Sequence, residues 1–309
     1  MTDRALDPII LGHNPFFGVD HLSQERGNEK AKRFEDVRHI VDMIRHCDGL
    51  GVQGIMMSTH PRAGGVCEAL EREPSLREKW RLYPLVPYIQ KYVRTANEKG
   101  LVNVVVDTLA QTSLEQKANI FLRAGRTVLG RDLREALCLL IDVEMVPFRR
   151  LPLGAVFLHD ALTDLALGLD ALSLLELFRD HVRQTYKVPA GFATKNVPRL
   201  RGELTRLGWS EVLVMASFNA AGFYMNPSAE RCAEAVREPG LTMVAMNTLA
   251  SGYLAPDDAY RYLAQFPAIR SVVVGVSRKD HAAETFAAIR RHVPHAREAA
   301  PAGLEARPA

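Results

Sequence analysis

An α/β fold in the form of a closed (β/α)8 TIM barrel is predicted by three observations. Eight short apolar runs alternate with segments of helical spacing. Nearly every run ends in a polar or titratable side chain, as strands do at the C-terminal mouth of such barrels. No shift of composition divides the 309 residues, and barrels of this kind reach that length as one domain. A doubly wound sheet is the alternative. The expected domain spans residues 1–295, with a helical insertion between strands 3 and 4 at about residues 101–150 and a disordered tail over 296–309.

Ile9 to Gly12 is the first strand, and it runs into a polar and aromatic loop, His13, Asn14, Pro15, Phe16, Phe17 and Gly18. Phe34 to Leu50 then places Val37, Ile40, Val41, Ile44 and Cys47 on one helical face. Gly51 to Met57 is the second strand and ends in Ser58, Thr59, His60 and Pro61. A short helix over Gly65 to Glu73 leads to the third strand, Leu82 to Val86, which ends at Pro87 and Tyr88. Ile89 to Glu98, Val102 to Ala110, Leu114 to Leu129 and Leu133 to Val143 each carry helical spacing. They fill about sixty residues, well beyond an ordinary crossover. An inserted helical layer that could act as a lid is expected there.

Leu153 to Leu158 is the fourth strand and ends in His159 and Asp160. The helix Leu169 to Tyr186 precedes the fifth strand, Ala190 to Ala193, which ends in Thr194, Lys195 and Asn196. After the helix Arg199 to Leu207, the sixth strand, Val212 to Ala216, ends in Ser217, Phe218 and Asn219. The helix Ala229 to Arg237 leads to the seventh strand, Thr242 to Met246, followed by Asn247. Helix Asp257 to Gln265 joins it to the eighth, where Val272 to Val274 turns at Gly275, presents Ser277 and Arg278, and restarts as a helix through Ala282, Phe286 and Ile289. The tail beyond Val293, rich in Ala, Pro and Arg, reads as disordered.

The net charge of +3 is small and its cations are scattered, which argues against nucleic acid or an anionic membrane as partner. Cys47, Cys67, Cys138 and Cys232 lie far apart without zinc or disulfide spacing and read as free thiols in a reducing compartment. The N-terminal stretch has no apolar signal region and no run is long enough to span a bilayer, so a cytoplasmic location is the expectation. A small-molecule substrate is the expected partner, and a homo-oligomer is compatible with the sequence.

The strand ends supply the candidate site: His13, Asn14, His60, Arg62, Tyr88, His159, Asp160, Lys195, Asn219, Asn247, Ser277 and Arg278. His159 with Asp160 or His60 suits acid–base work, since imidazole titrates near neutral pH. His13, His60 and His159 are the candidate ligands of a divalent transition metal, although no HxH or HExxH spacing accompanies them. Lys195, in a mouth expected to be lined by Phe16, Phe218 and Tyr224, is either a Schiff-base lysine or a counter-charge. Arg278 and the N–H groups near Ser277 suit a phosphate or carboxylate.

LHD at Leu158 to Asp160, AMNTLASGYL at Ala245 to Leu254 and GVSRKDHAAETFAAI at Gly275 to Ile289 resemble the fourth, seventh and eighth strand motifs of the aldo-keto reductase superfamily. GFATKN after strand five and ILGHNPFFG at strand one fit the same order. The resemblance implies a (β/α)8 barrel, a nicotinamide cofactor with its phosphates near strands seven and eight, and a catalytic Asp, Tyr, Lys and His. Of these four only the histidine is matched, at His159. The other positions fall at Ser58, at Ala63 or Gly64, and at Pro87 or Tyr88. The groups expected around the nicotinamide ring are replaced by Ala193, Thr194, Met215 and Met246. The leading expectation is therefore a non-redox lyase, isomerase or hydrolase acting on a small polar metabolite, with nicotinamide disfavoured. An NADPH-dependent reductase with an atypical donor such as Tyr88, and a catalytically silent ligand sensor, are the alternatives.

Overall fold

The computed structural model describes residues 6–20, 22–88 and 133–298. Eight parallel strands close into a barrel in sequence order. They are β1 (Ile9–Gly12), β2 (Gly54–Ser58), β3 (Arg81–Val86), β4 (Val156–Leu158), β5 (Ala190–Thr194), β6 (Val212–Ser217), β7 (Leu241–Met246) and β8 (Ile269–Val274). Leu153, expected to open the fourth strand, makes only an isolated bridge to Leu82.

The strands are buried on both faces, which explains why they read as continuous apolar runs rather than alternating ones. The inward side chains, among them Ile10, Met56, Tyr83, Phe157, Met215 and Val244, form their own cluster inside the barrel. Gly191 makes room for that filling, since a Cβ there would lie 2.4 Å from the Phe157 ring. At the N-terminal end Asp7 closes the barrel, accepting the Tyr83 hydroxyl at 2.7 Å and the Arg81 guanidinium at 2.5 Å.

The outward side chains join a larger core with the helices. These are α1 (Gln24–Arg33), α2 (Val37–Gly49), α3 (Ala63–Glu71), α4 (Pro74–Arg77), α5 (Leu133–Glu144) and α6 (Asp160–Gly168). They continue with α7 (Ser173–Thr185), α8 (Val197–Arg206), α9 (Ala229–Arg237), α10 (Pro256–Leu263), α11 (Lys279–His292) and α12 (Pro294–Glu298). Two local signals set typical boundaries. Ser228 caps α9 by accepting the Arg231 N–H at 3.3 Å, and Pro256 opens α10 where its missing N–H costs nothing.

The sequence reading needs one correction outside the site. Residues 294–298, assigned to a disordered tail beyond Val293, form α12 and bury Ala296 at 2% exposure. Of the expected inserted helices, Ile89 to Glu98, Val102 to Ala110 and Leu114 to Leu129 lie outside the described residues. The fourth is α5, which buries Leu139, Ile141 and Val143 and so belongs to the outer helical layer. No described helix is long and apolar enough to cross a membrane.

Candidate active site at the barrel mouth

His159 and Asp160 stand where β4 passes into α6. Nδ1 of His159 lies 2.7 Å from Oδ1 of Asp160. The Ala161 N–H is 3.2 Å from the same nitrogen, but it also bonds the Asp160 carboxylate. A lone pair on Nδ1 facing a carboxylate oxygen at 2.7 Å would be repulsive, so Nδ1 carries the proton and donates it to Asp160. Nε2 is then the basic atom. Burial pushes the Asp160 carboxyl up, but the His159 hydrogen bond and the charges of His159 and Lys195 outweigh it and leave it below its usual range.

Lys195, at the end of β5, brings Nζ to 3.5 Å from Oδ2 of Asp160, and its side chain is 53% exposed. An exposed, ion-paired ammonium is a counter-charge. It lacks the dry surroundings a Schiff-base lysine requires, which corrects that reading. The expected aromatic lining is also absent around it in part. Phe218 is fully buried against Tyr262 and Phe266 in the outer layer, and Phe16 packs on Phe34. Only Tyr224 approaches, with the Lys195 Nζ 5.9 Å from its ring centre.

Strand register places the second histidine. Ser58 pairs with Leu85 and Val86 with Leu158, so the ends of β2, β3 and β4 lie side by side, with His60 two residues beyond β2 and His159 directly after β4. His60 stacks on Phe17 at 4.4 Å and 12°, and meets Tyr88 edge-on at 5.8 Å. Its Nδ1 accepts the Arg62 N–H at 3.2 Å, which puts the proton of the neutral ring on Nε2. Burial, helped by the charge of Arg62, lowers its pKa. Tyr88 itself is held by its backbone N–H, which donates to Glu144 at 2.9 Å.

His13 does not qualify as a metal ligand. Its Nδ1 donates to the Met56 carbonyl at 3.1 Å and its Nε2 accepts from the Ser58 hydroxyl at 3.1 Å, so both nitrogens are engaged. Burial, with smaller contributions from His60 and His159, pushes its pKa down to about 4 against the favourable Met56 bond. It is neutral at pH 7. Among the described residues no group of three or more His, Cys, Asp or Glu side chains is arranged to hold a metal.

Two further expectations of substrate contact are also corrected. Arg62 turns away from the mouth and donates to the carbonyls of Phe16, Ala31 and Phe34 at 3.3, 3.4 and 3.1 Å. Asn219 is fully buried and ties its own loop, donating to the carbonyls of Phe223 and Asn247 and accepting the Phe223 N–H. Glu144 is a group the sequence reading missed. At 2% exposure its carboxylate takes the Thr59 hydroxyl and the Tyr88 N–H, binding the ends of β2 and β3 together.

Asn14, Asn247, Ser277 and Arg278 gather elsewhere, around a cavity of about 510 Å³ between the ends of β7, β8 and β1. Met56 and Met246 line its inner end and the start of α11 its outer end. Gly275 permits the close approach there, because a Cβ would lie 2.7 Å from the Pro15 ring. Asn247, Ala250 and Ser251 adopt left-handed φ of 53°, 45° and 59° in the β7 loop, a concentration of strain typical of ligand-facing loops. Arg278 donates from Nε and Nη2, one edge of its guanidinium, to the two carboxylate oxygens of Asp280 and keeps 54% exposure. Asn247 donates to Ser217 at 2.8 Å.

The outer end of this cavity suits a phosphate, and its lining is mixed, with Met56 and Met246 beside Asn14 and Asn247. Of the positions the resemblance sets around a nicotinamide ring, Met246 lines the cavity, whereas Met215 and Ala193 are fully buried and do not reach it. The Thr194 hydroxyl is committed to Asp164 at 2.5 Å.

No protein-family profile matches the sequence, and no curated protein matches it. Solved structures do. An aldo-keto reductase from Pseudomonas aeruginosa is similar over 93% of this chain and 91% of its own, at 17% identity and a TM-score of 0.60. A 2,5-diketo-D-gluconic acid reductase B covers 99% and 95% at 14% identity and 0.55. The holo form of an aldo-keto reductase from Bacillus halodurans covers 98% and 95% at 13% identity and 0.54. The fold of this chain is therefore the aldo-keto reductase-like (β/α)8 barrel.

Proposed function

We propose that the chain is a non-redox enzyme that moves a proton on a small polar metabolite, with His159 as the base. One observation carries this reading: the 2.7 Å bond from Nδ1 of His159 to Asp160, which frees Nε2 at the end of β4. Asp160 fixes the ring and stabilises the imidazolium that forms, and Lys195 at 3.5 Å keeps Asp160 ionised. The cavity beside β7 and β8 takes the anionic end of the substrate through Arg278 and the N–H groups at the start of α11. Hydride chemistry is disfavoured because, of the positions the resemblance assigns to the nicotinamide ring, Met246 is apolar, Ala193 and Met215 are fully buried and Thr194 is committed to Asp164.

The test is metabolite depletion followed by mass spectrometry, with wild-type protein and His159→Gln side by side. A compound consumed by the wild type and spared by the variant, with equal circular dichroism and Tm, supports the assignment. Equal consumption by both overturns it.

A second reading, an NADPH-dependent reductase with an atypical donor, is favoured by the position of the cavity, where the resemblance puts the cofactor phosphates, and by the names of the similar structures. Saturable quenching of Trp80 and Trp209 emission by micromolar NADPH, together with its oxidation by a carbonyl compound, would establish it instead.

A further inference from the structure

We propose that His60 donates a neutral imidazole N–H to the carbonyl oxygen of the substrate while His159 removes a proton from the adjacent carbon, so that the site enolises a ketone or aldehyde. This rests on the reading of His159 as base and names the substrate class.

The two histidines are opposite tautomers of one side chain. The Arg62 N–H occupies Nδ1 of His60 and leaves Nε2–H as its remaining polar group, whereas Asp160 takes the Nδ1–H of His159 and leaves Nε2 as a lone pair. Among the described residues neither Nε2 has a hydrogen-bond partner. β3 lies between the strands that carry them, and both histidines act electrostatically on the same neighbour, His13. At about 4.8 Å per strand their backbones stand about 10 Å apart. Two imidazoles extending from there reach one three- or four-carbon substrate.

His60 is also pre-set. Phe17 stacks along one face at 4.4 Å and Tyr88 meets it edge-on, so the ring is held in orientation before ligand arrives. Its lowered pKa keeps it neutral at pH 7, as an electrophilic imidazole must be. His13, engaged on both nitrogens, takes no part in the transfer.

The step balances without a co-reactant. The C–H bond breaks, its electron pair forms the C=C bond, and the carbonyl π pair moves to the oxygen held by Nε2–H of His60. The proton passes to Nε2 of His159, whose new charge faces Asp160. Return of the proton to the same carbon completes an exchange. Where that carbon carries a hydroxyl, passage of the hydroxyl proton to the oxygen held by His60, with formation of the second C=O bond and return of the abstracted proton to the former carbonyl carbon, completes an isomerisation.

Two measurements test this. In protein labelled with ¹⁵N-histidine, the ring shifts at pH 7 should show His60 as neutral Nε2–H and His159 bearing a proton on Nδ1. A His60 found as imidazolium or as Nδ1–H overturns the inference. In D2O, proton NMR follows loss of the α-hydrogen signals of hydroxyacetone, dihydroxyacetone phosphate and pyruvate. Wild-type protein should wash out at least one, and His60→Phe should slow it by about 100-fold or more, the usual loss on removing an oxyanion donor. No exchange in any of the three, or unchanged exchange in His60→Phe, refutes the role of His60. Exchange that survives in His159→Gln instead refutes the underlying reading, so the two failures are distinct.

Discussion

Acidification should destabilise this protein through His13 in a way that can be isolated. The ring is neutral and enclosed, with a pKa pushed down to about 4 by burial, against about 6.5 in the unfolded chain. Between those values the unfolded state binds the proton and the folded state does not, so stability falls as pH drops. The contribution is near zero at pH 7, costs about 2 kcal/mol by pH 5 and about 3 kcal/mol by pH 4. His13→Asn keeps a donor for the Met56 carbonyl but does not titrate in this range. Urea unfolding of both proteins at pH 7, 6, 5 and 4 separates His13 from every other titrating group. The wild type should lose about 3 kcal/mol more than the variant from pH 7 to 4. Parallel curves would mean that the proton enters the folded site freely, and the reasoning on burial would be wrong.

Asp160→Asn should lower turnover by about 100-fold or more with the fold retained, since an amide can present its N–H to Nδ1 and select the wrong tautomer of His159. An activity within twofold of wild type would contradict that. Arg62→Met should lower stability by about 1–3 kcal/mol, because three carbonyls lose their donor, and thermal unfolding reads this directly. The thiols of Cys47 and Cys67, pushed up to about 12 by burial, should resist a disulfide reagent in native protein and react on unfolding. Rapid labelling of either in the native state would contradict their enclosure.

The strands were legible because short apolar runs, buried on both faces and each closed by polar residues, recur between segments of helical spacing. Helices were legible in proportion to what they bury. α2 hides Ile40, Val41, Met43, Ile44 and Cys47 and is plain in the sequence, whereas α1 buries only Gly27 and offers little beyond the Ser23 cap. α6 was missed because it starts directly after His159, inside what reads as a polar strand end.

The site divides in the same physical way. His159, Asp160, Lys195 and His60 were found because strand ends converge at the mouth. That His13, Arg62 and Asn219 spend their polar atoms on neighbouring side chains or backbone could not be foreseen, since carbonyl partners have no sequence signature. Glu144 escaped because it closes a helix rather than a strand. That Arg278 borders a cavity at the ends of β7, β8 and β1 while His159 sits at the end of β4 likewise needed three dimensions, as the two look equivalent when read as strand ends.

The most direct test of the central claim is an inventory, by mass spectrometry, of the small molecules released when the protein is denatured as purified, followed by direct NADPH titration of the emptied protein. The account predicts that any bound metabolite is a small polar carbonyl compound and that NADPH at micromolar concentration leaves the emission of Trp80 and Trp209 unchanged. Stoichiometric NADP in the released fraction, or saturable binding of NADPH with turnover, would contradict it and make the chain a reductase.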